Sequence, residues 1–276
     1  MKDIIQGIIG TAIKLKDLDG TMLDKIKLFF LLSYITIKKH TNKNSDKLIQ
    51  VNFLKYKITG FSYSTLQYLI NEIFIDKEYF FTVDAEMPII IDCGSNIGIS
   101  IIYFKNLYPK AEILAFEADP YVFKILNKNI TENNLDVTLN NCALCNSNEP
   151  VSFYMCNDLW NLKGSILEQR GGINKVEVEG RKLSSFISKY KKIDLIKIDI
   201  EGAEIEVIDD LYEQKILGIA NNYLIEFHHN IEDKKTYLSD FLRKFEEFNF
   251  GYSIRTSFKK TGSFQDIYIH FYKVAF

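Results

Sequence analysis

From residue 88 onward the sequence alternates short apolar runs with helical segments, and this alternation limits the possible folds more than any other feature. The apolar runs predict buried strands at residues 88–91, 111–116, 137–139, 194–200 and 223–227. The helical segments cover residues 97–107, 120–129, 203–212 and 237–248. Residues 252–256 and 266–274 predict a terminal antiparallel hairpin. Repeated strand–helix units with apolar strands predict an α/β protein with a doubly wound, mostly parallel sheet.

The N-terminal part has a different pattern, which predicts a helical extension followed by a hairpin at residues 51–61 and a helix at residues 64–74. Within residues 1–50 one helical stripe is mostly apolar and has lysines beside it: Met22, Ile26, Phe29, Phe30, Ser33 and Ile37. A membrane surface is one partner for such a stripe, but we favour packing on the core or on a second subunit. The predicted organisation is therefore an extension at residues 1–85 and an α/β domain at residues 86–276, with a homodimer as one expectation.

Charge and composition exclude several functional classes. The 276 residues carry a formal net charge of −2, so the chain lacks the basic field that attracts nucleic acid. The apolar run at residues 28–37 is much shorter than the roughly 20 residues of a membrane span, and the N-terminus lacks a signal-peptide pattern. Cys142 and Cys145 form a lone CxxC without further zinc ligands nearby, so we interpret them as reduced core residues. We expect a cytoplasmic protein with no membrane span.

The first strand of the α/β region ends in Asp-Cys-Gly-Ser-Asn-Ile-Gly, residues 92–98. Gly94 permits a tight turn, and Gly98 permits close packing of the next helix, whose N-terminus attracts an anion. The glycine spacing is GxxxG, whereas dinucleotide-binding loops have GxGxxG. Asp92 would also repel a pyrophosphate, but it suits the ammonium of a zwitterion. The loop therefore favours the amino-acid head of S-adenosylmethionine over NAD, with Ser95 and Asn96 as further contacts.

Two later strand ends complete the predicted nucleoside site. Glu117 closes the second strand, 19 residues after Gly98, where an acidic residue accepts hydrogen bonds from ribose hydroxyls. The segment after the third strand lies where adenine is expected. The predicted cofactor-binding residues are Asp92, Gly94, Ser95, Asn96, Gly98, Glu117, Ala118, Cys142 and Ala143.

Five segments of the chain form a recognisable set: residues 91–98, residues 116–120, the run Ile-Lys-Ile-Asp-Ile-Glu-Gly-Ala-Glu at residues 196–204, and the flanking segments 72–74 and 224–228. Together they resemble the FkbM family of methyltransferases. The resemblance covers about residues 50–230; a Cys-Gly-Ser-Asn loop stands where Val-Gly-Ala-Asn is more usual. It implies a class I, Rossmann-like methyltransferase fold, S-adenosylmethionine as donor, and O-methylation of sugar or polyketide hydroxyls. It also implies a role in tailoring surface polysaccharides, such as those of a capsule.

Candidate catalytic residues lie at the ends of two later strands. Lys197 and Asp199 alternate onto one face, and Glu226 and His228 lie where the next strand ends. A hydroxyl acceptor needs either a general base, for which His228 is a candidate, or a divalent metal. Oxygen ligands with an imidazole suit Mg²⁺ or Mn²⁺, so Asp199, Glu226 and His228 are also the predicted metal ligands. The structural alternatives are a salt bridge from Lys197 to Glu226 or Asp199, and a contact of Asp199 with the methionine part of the cofactor.

The acceptor is less constrained by the sequence. Residues 157–174 suggest a loop beside the site, with Trp160 as a stacking residue and Lys163 or Arg170 as partners for the phosphates of a nucleotide-activated sugar. We expect a small-molecule acceptor, either a nucleotide sugar or a sugar of a surface polysaccharide. The alternatives are an NAD-dependent oxidoreductase, a non-catalytic scaffold that keeps a methyltransferase-like core, and an N-methyltransferase.

Overall fold

The computed structural model describes residues 2–16, 21–41, 48–155, 164–231, 237–256 and 264–274. The strands are β1 (Ile49–Phe53), β2 (Tyr56–Gly60), β3 (Ile89–Cys93), β4 (Glu112–Phe116), β5 (Thr138–Asn140), β6 (Ala143–Leu144), β7 (Val151–Met155), β8 (Asn174–Val178), β9 (Gly180–Arg181), β10 (Ile193–Ile198), β11 (Ala220–His229), β12 (Phe250–Thr256) and β13 (Gln265–Lys273). The helices are α1 (Lys2–Lys16), α2 (Met22–Thr41), α3 (Tyr63–Ile70), α4 (Ile99–Leu107), α5 (Pro120–Glu132), α6 (Glu168–Gly171), α7 (Ser184–Ile187), α8 (Glu204–Glu213) and α9 (Leu238–Glu246). A π-helical turn, Asn71–Ile75, continues α3, and a 3₁₀ turn spans Leu217–Ile219.

A seven-stranded sheet forms the centre of the α/β region, in the order β12-β13-β11-β10-β3-β4-β5. The strands β11, β10, β3, β4 and β5 are parallel, whereas β13 runs antiparallel to both of its neighbours. The predicted doubly wound, mostly parallel sheet with a C-terminal antiparallel hairpin is thus confirmed. Strand order reverses between β3 and β10, and ligands of such sheets bind at this switch point.

Alternation along the strands divides their side chains between two hydrophobic clusters. On β3 and β10, Ile90 and Leu195 pack with α4 and α5, whereas Ile91 and Ile196 pack with α8 and α9. Both faces of the sheet are therefore covered by helices, which explains why its strands are continuous apolar runs in the sequence.

The N-terminal elements pack on the α4–α5 face of the sheet. Phe53 of β1 and Leu32 of α2 belong to the same cluster as Phe104 of α4, so the core is continuous across residue 85. The predicted domain division at residues 85 and 86 stays a prediction. The outer face of α1 and α2 exposes several large apolar side chains: Ile5, Ile9, Ile13, Met22, Leu23, Ile26, Phe30, Tyr34 and Ile37. The homodimer expected from this stripe also stays a prediction.

None of the helices in the described ranges combines the length and the hydropathy that crossing a membrane requires.

The region between β5 and β10 contains structure that the sequence patterns did not predict. Short strands pair as β6 with β9 and as β7 with β8, and α6 lies beside them. Part of the loop expected at residues 157–174 is therefore ordered: Ser165 pairs with Tyr154 as an isolated bridge. Residues 157–163, with Trp160 and Lys163, lie outside the described residues.

Candidate active site

A cavity of about 670 Å³ opens at the carboxyl edge of the parallel strands, at the switch point between β3 and β10. Its lining comes from the loops after β3, β4, β5 and β10, from β11, and from α3 of the N-terminal extension. Six of the predicted cofactor-binding residues line it: Gly94, Asn96, Glu117, Ala118, Cys142 and Ala143. Of the predicted catalytic residues, Asp199 and Glu226 line it.

The loop after β3 lies between the ends of β4 and β10. The backbone N–H groups of Gly94 and Ser95 donate to the carbonyl of Phe116, at 3.0 and 2.8 Å. Gly94 has φ +82°, and a Cβ atom at this position would lie 1.8 Å from the carbonyl oxygen of Asp199. Only glycine can occupy this position without displacing the end of β10.

Three predicted cofactor residues lie behind the loop and are not part of the cavity wall. The carboxylate of Asp92 is fully buried, and Ser100 Oγ donates to its Oδ2 at 2.6 Å. Ser95 is also buried, with Oγ donating to the Asp92 carbonyl at 3.0 Å. Gly98 begins α4 with φ +90°, and a Cβ atom there would lie 2.8 Å from Leu126 Cδ1. Their direct contact with a cofactor stays a prediction; the structure gives them contacts that fix the loop.

Lys197 also lies beneath the cavity. Its Nζ is 3.4 Å from Asp92 Oδ1 and 3.5 Å from Asp199 Oδ2, and it donates to the Gly94 carbonyl at 2.7 Å. Burial favours the neutral amine, but the carboxylates of Asp199 and Asp92 outweigh it and raise the pKa of Lys197. Of the two salt bridges that the sequence allows, the one to Asp199 forms. Lys197 is thus placed to position the loop and Asp199, and it does not line the cavity; its catalytic role stays a prediction.

Glu117 marks one end of the cavity. Its Oε2 accepts from the backbone N–H of Asn96 and its Oε1 from that of Asp119, both at 2.9 Å. Burial raises the pKa of this carboxyl to about 7, although these two N–H groups oppose the shift. Ala118, Cys142 and Ala143 continue the cavity wall beside it.

The other end of the cavity, which we call the acidic end, is lined by five carboxyl side chains: Glu72, Asp199, Glu201, Glu226 and Asp266. Tyr79 Oη donates to Asp199 Oδ2 at 3.0 Å. Burial raises the pKa of Glu226 well above its usual range, and the nearby charge of Asp199 adds to the shift, which His228 opposes. Burial and the crowding of carboxyl groups at this end of the cavity therefore favour the protonated form of Glu226.

His228 lies at the acidic end but is buried behind the cavity wall. Its Nδ1 donates to Glu204 Oε1 at 2.9 Å. Its Nε2 is 3.1 Å from Glu201 Oε2 and 3.9 Å from Glu226 Oε1, yet it has no hydrogen-bond partner within the described ranges. Burial opposes protonation, but the carboxylates of Glu204 and Glu201 outweigh it and raise the pKa of His228 well above its usual value.

Other contacts at this end were not predicted. Tyr68 reaches the cavity from α3 and Glu72 from the π-helical turn that follows it, and Tyr68 Oη donates to Glu72 Oε1 at 2.7 Å. The only sequence signal for them was that Glu72 belongs to one of the segments that resemble the FkbM family. Arg170, expected to bind a phosphate, forms an ion pair with Glu201 and lies 4.5 Å from the ring centre of Phe264.

The sheet order and the site at its switch point define a class I methyltransferase fold of the Rossmann-like type. The family model described as the methyltransferase FkbM domain matches residues 92–254. The chain belongs to the FkbM methyltransferase family, which confirms the family inferred from the sequence. This membership makes the chain a methyltransferase and not an oxidoreductase.

Individual relatives carry the same class of name. Methyltransferase sdnD of Sordaria araneosa is 31% identical over 220 residues, which cover 66% of this chain and 82% of that protein. The 2-O-methyltransferase NoeI of Sinorhizobium fredii is 31% identical over 138 residues, which cover 44% of this chain and 56% of that protein. The crystal structure of methyltransferase FkbM from Methylobacillus flagellatus is 14% identical with a TM-score of 0.46, covering 98% of this chain and 60% of that one.

Proposed function

We propose that this methyltransferase transfers a methyl group from S-adenosylmethionine to a hydroxyl group of a sugar. The observation that carries the proposal is the division of one cavity between an end at Glu117 and an acidic end at Asp199 and Glu226. A donor at the first end and an acceptor at the second would meet near Gly94, at the switch point of the sheet. Holding two reactants in line is the main task of an enzyme for this displacement.

The donor end suits an adenosine. The Glu117 carboxylate is placed to accept hydrogen bonds from the ribose hydroxyls, and Ala118, Cys142 and Ala143 offer a small, mostly apolar wall for adenine. Gly94 and Asn96 would then contact the methionine part. Asp92 would act on the donor through this loop, because its carboxylate is engaged with Ser100 and Lys197.

The acidic end favours a neutral polyhydroxyl acceptor. Carboxylates accept hydrogen bonds from sugar hydroxyls, but they repel phosphate groups. Glu201 already pairs with Arg170, so this guanidinium is not free for a pyrophosphate. We therefore favour a free or glycan-linked sugar over a nucleotide-activated one, and we do not propose a nucleic acid. The name of NoeI, a 2-O-methyltransferase, supports oxygen as the methylated atom.

The transfer is a single displacement at the methyl carbon. The hydroxyl oxygen of the acceptor forms the new O–C bond, and the electron pair of the broken C–S bond stays on sulfur. S-adenosylhomocysteine leaves with that sulfur, and the hydroxyl proton passes to a carboxylate of the acidic end and then to water. Proton removal is needed because a sugar hydroxyl is a weak nucleophile at neutral pH.

Calorimetric titration with S-adenosylhomocysteine tests the donor, with NAD as the control. We expect binding of the first ligand only; binding of NAD alone would refute the proposal. Methyl transfer from labelled S-adenosylmethionine is then measured with neutral oligosaccharides and with nucleotide-activated sugars. We expect label in the neutral sugars. Donor binding without transfer to any acceptor would favour the non-catalytic scaffold.

A further inference from the structure

We propose that Asp199, Glu226 and His228 form a binding site for one divalent cation of the Mg²⁺ or Mn²⁺ type at the acidic end. The site itself is independent of the methyl donor. Its catalytic consequence rests on the proposed function, because the cation would bind the acceptor hydroxyl.

The three side chains converge from two neighbouring strands. Asp199 follows β10, and Glu226 and His228 are two residues apart on β11, so all three point to the same face of the sheet. Each offers one ligand atom, and these atoms lie within 4.8 Å of one another. Ligand atoms about 2.0–2.2 Å from a shared ion are about 3–4 Å apart. A small movement of these side chains towards one another would therefore bring all three ligand atoms within bonding distance of one ion.

His228 provides a second and independent observation. Its side chain is 1% exposed, and its Nε2 lies 3.1 Å from Glu201 Oε2 without forming a hydrogen bond to it or to any other group in the described part of the chain. An unpaired polar atom this deeply buried costs free energy unless a ligand satisfies it. A carboxylate cluster alone would not indicate a metal, but a buried imidazole nitrogen directed at two of its oxygens does.

The partner of the other ring nitrogen supports the same assignment. Nδ1 donates to Glu204 Oε1, so Nε2 is the ring nitrogen that can bind a metal, and the cation would displace the proton that Nε2 carries in the free protein. Glu204 is itself fixed, since its Oε1 accepts from the backbone N–H of Gly202 at 3.0 Å. A carboxylate that orients a ligand histidine in this way is a common feature of metal sites.

The charge around the site also favours a cation. The two ligand carboxylates lie in one cavity with Glu72, Glu201 and Asp266. Among the neighbouring cationic groups, Lys197 contacts Asp199 from beneath, and the Arg170 guanidinium is paired with Glu201. A divalent cation would offset the repulsion among these carboxylates, and it would lower the pKa of a bound acceptor hydroxyl.

Titration with Mn²⁺ alone, followed by the electron paramagnetic resonance signal of free Mn²⁺, tests the site without donor or acceptor. We expect one bound Mn²⁺ per chain, and affinity about tenfold or more weaker in Asp199→Asn, Glu226→Gln and His228→Gln. The variant Glu204→Gln, which changes the partner of the His228 ring, should weaken binding by about 10–100-fold. His229→Gln is the matched control, because this neighbour points to the opposite face of β11 and should leave the affinity unchanged.

Binding of S-adenosylhomocysteine to each variant reports whether its fold is intact. No Mn²⁺ binding to the unaltered chain, or equal binding by the His228→Gln and His229→Gln variants, would overturn the assignment. Mn²⁺ binding that depends on these residues in a chain that does not bind S-adenosylhomocysteine would refute the donor and keep the cation site. Binding of S-adenosylhomocysteine by a chain that does not bind Mn²⁺ through these residues would refute the cation site and keep the donor.

Discussion

Lys197 and Asp92 face each other across two adjacent parallel strands, with 3.4 Å between Nζ and Oδ1. Both side chains are almost fully buried, and Lys197 also donates to the carbonyl of Gly94 at 2.7 Å. One ammonium group thus ties the end of β3 to the loop that approaches the cavity. The pair links the stability of the sheet to the shape of the proposed donor site.

Replacing Lys197 with methionine tests this link. The change leaves the buried carboxylate of Asp92 without its cation, so we expect a loss of about 3–5 kcal/mol in the free energy of unfolding, measured by urea denaturation. The double variant with Asp92→Asn should recover part of that loss, because it removes both charges. Lys128→Met, which breaks an exposed i,i+4 pair with Glu132, is the control and should cost about 0.5 kcal/mol or less. Equal losses in the two single variants would contradict the structural role.

The sheet was predictable from the sequence because its local and global patterns agree. Buried parallel strands are continuous apolar runs, and strand alternation by itself assigns Lys197 and Asp199 to one face. The glycine loop was also predictable, since its residue types fix a turn. Its exact contacts were not: whether Asp92 points into the cavity or behind it depends on Ser100 and Lys197, which lie on other elements.

The acidic end was predictable only in part for the same reason. Asp199, Glu226 and His228 lie at strand ends, where parallel topology brings side chains together. Tyr68 and Glu72 come from α3 and the π-helical turn after it, more than a hundred residues earlier in the chain, and nothing in their local pattern indicates which surface they meet. The short β6–β9 and β7–β8 pairs were missed because strands of two to five residues carry little periodicity.

Gly94→Ala tests the close approach of the loop to β10. Its Cβ would lie 1.8 Å from the Asp199 carbonyl oxygen, and the residue would have to keep φ +82°. We expect loss of S-adenosylhomocysteine binding in calorimetry and a large fall in the midpoint of thermal unfolding. Gly10→Ala is the matched control: it lies in α1 with open space around it and should stabilise the chain by about 0.5–1 kcal/mol. Unchanged binding in the Gly94 variant would show that the loop does not contact the donor.

Tyr79→Phe tests whether the orientation of Asp199 matters for catalysis. The change removes the 3.0 Å hydrogen bond to Asp199 Oδ2 and keeps the buried ring. We expect the free energy of unfolding to fall by about 1 kcal/mol. We also expect kcat to fall by more than the affinity for S-adenosylhomocysteine, because Asp199 lies at the acceptor end. Tyr121→Phe, on an exposed side chain, is the control; equal kcat values in the two variants would contradict a positioning role for Tyr79.

The pKa of Glu117 predicts a proton linked to donor binding. Burial raises this pKa to about 7 in the free protein, so the carboxyl is partly protonated near neutral pH. Ribose hydroxyls that donate to it stabilise the ionised form and lower its pKa, so binding of S-adenosylhomocysteine should release protons below about pH 7 and none at about pH 8.5. The affinity should accordingly rise with pH and level off above the pKa of the Glu117 carboxyl in the free protein.

Calorimetry at about pH 6.5 in two buffers of different ionisation enthalpy measures the release of protons. In Glu117→Gln we expect S-adenosylhomocysteine to bind about tenfold more weakly. We also expect the part of the binding heat that varies with the buffer to decrease, because this variant has no carboxyl proton to release at residue 117. If the unaltered chain and this variant show the same dependence on buffer, Glu117 does not bind the ribose.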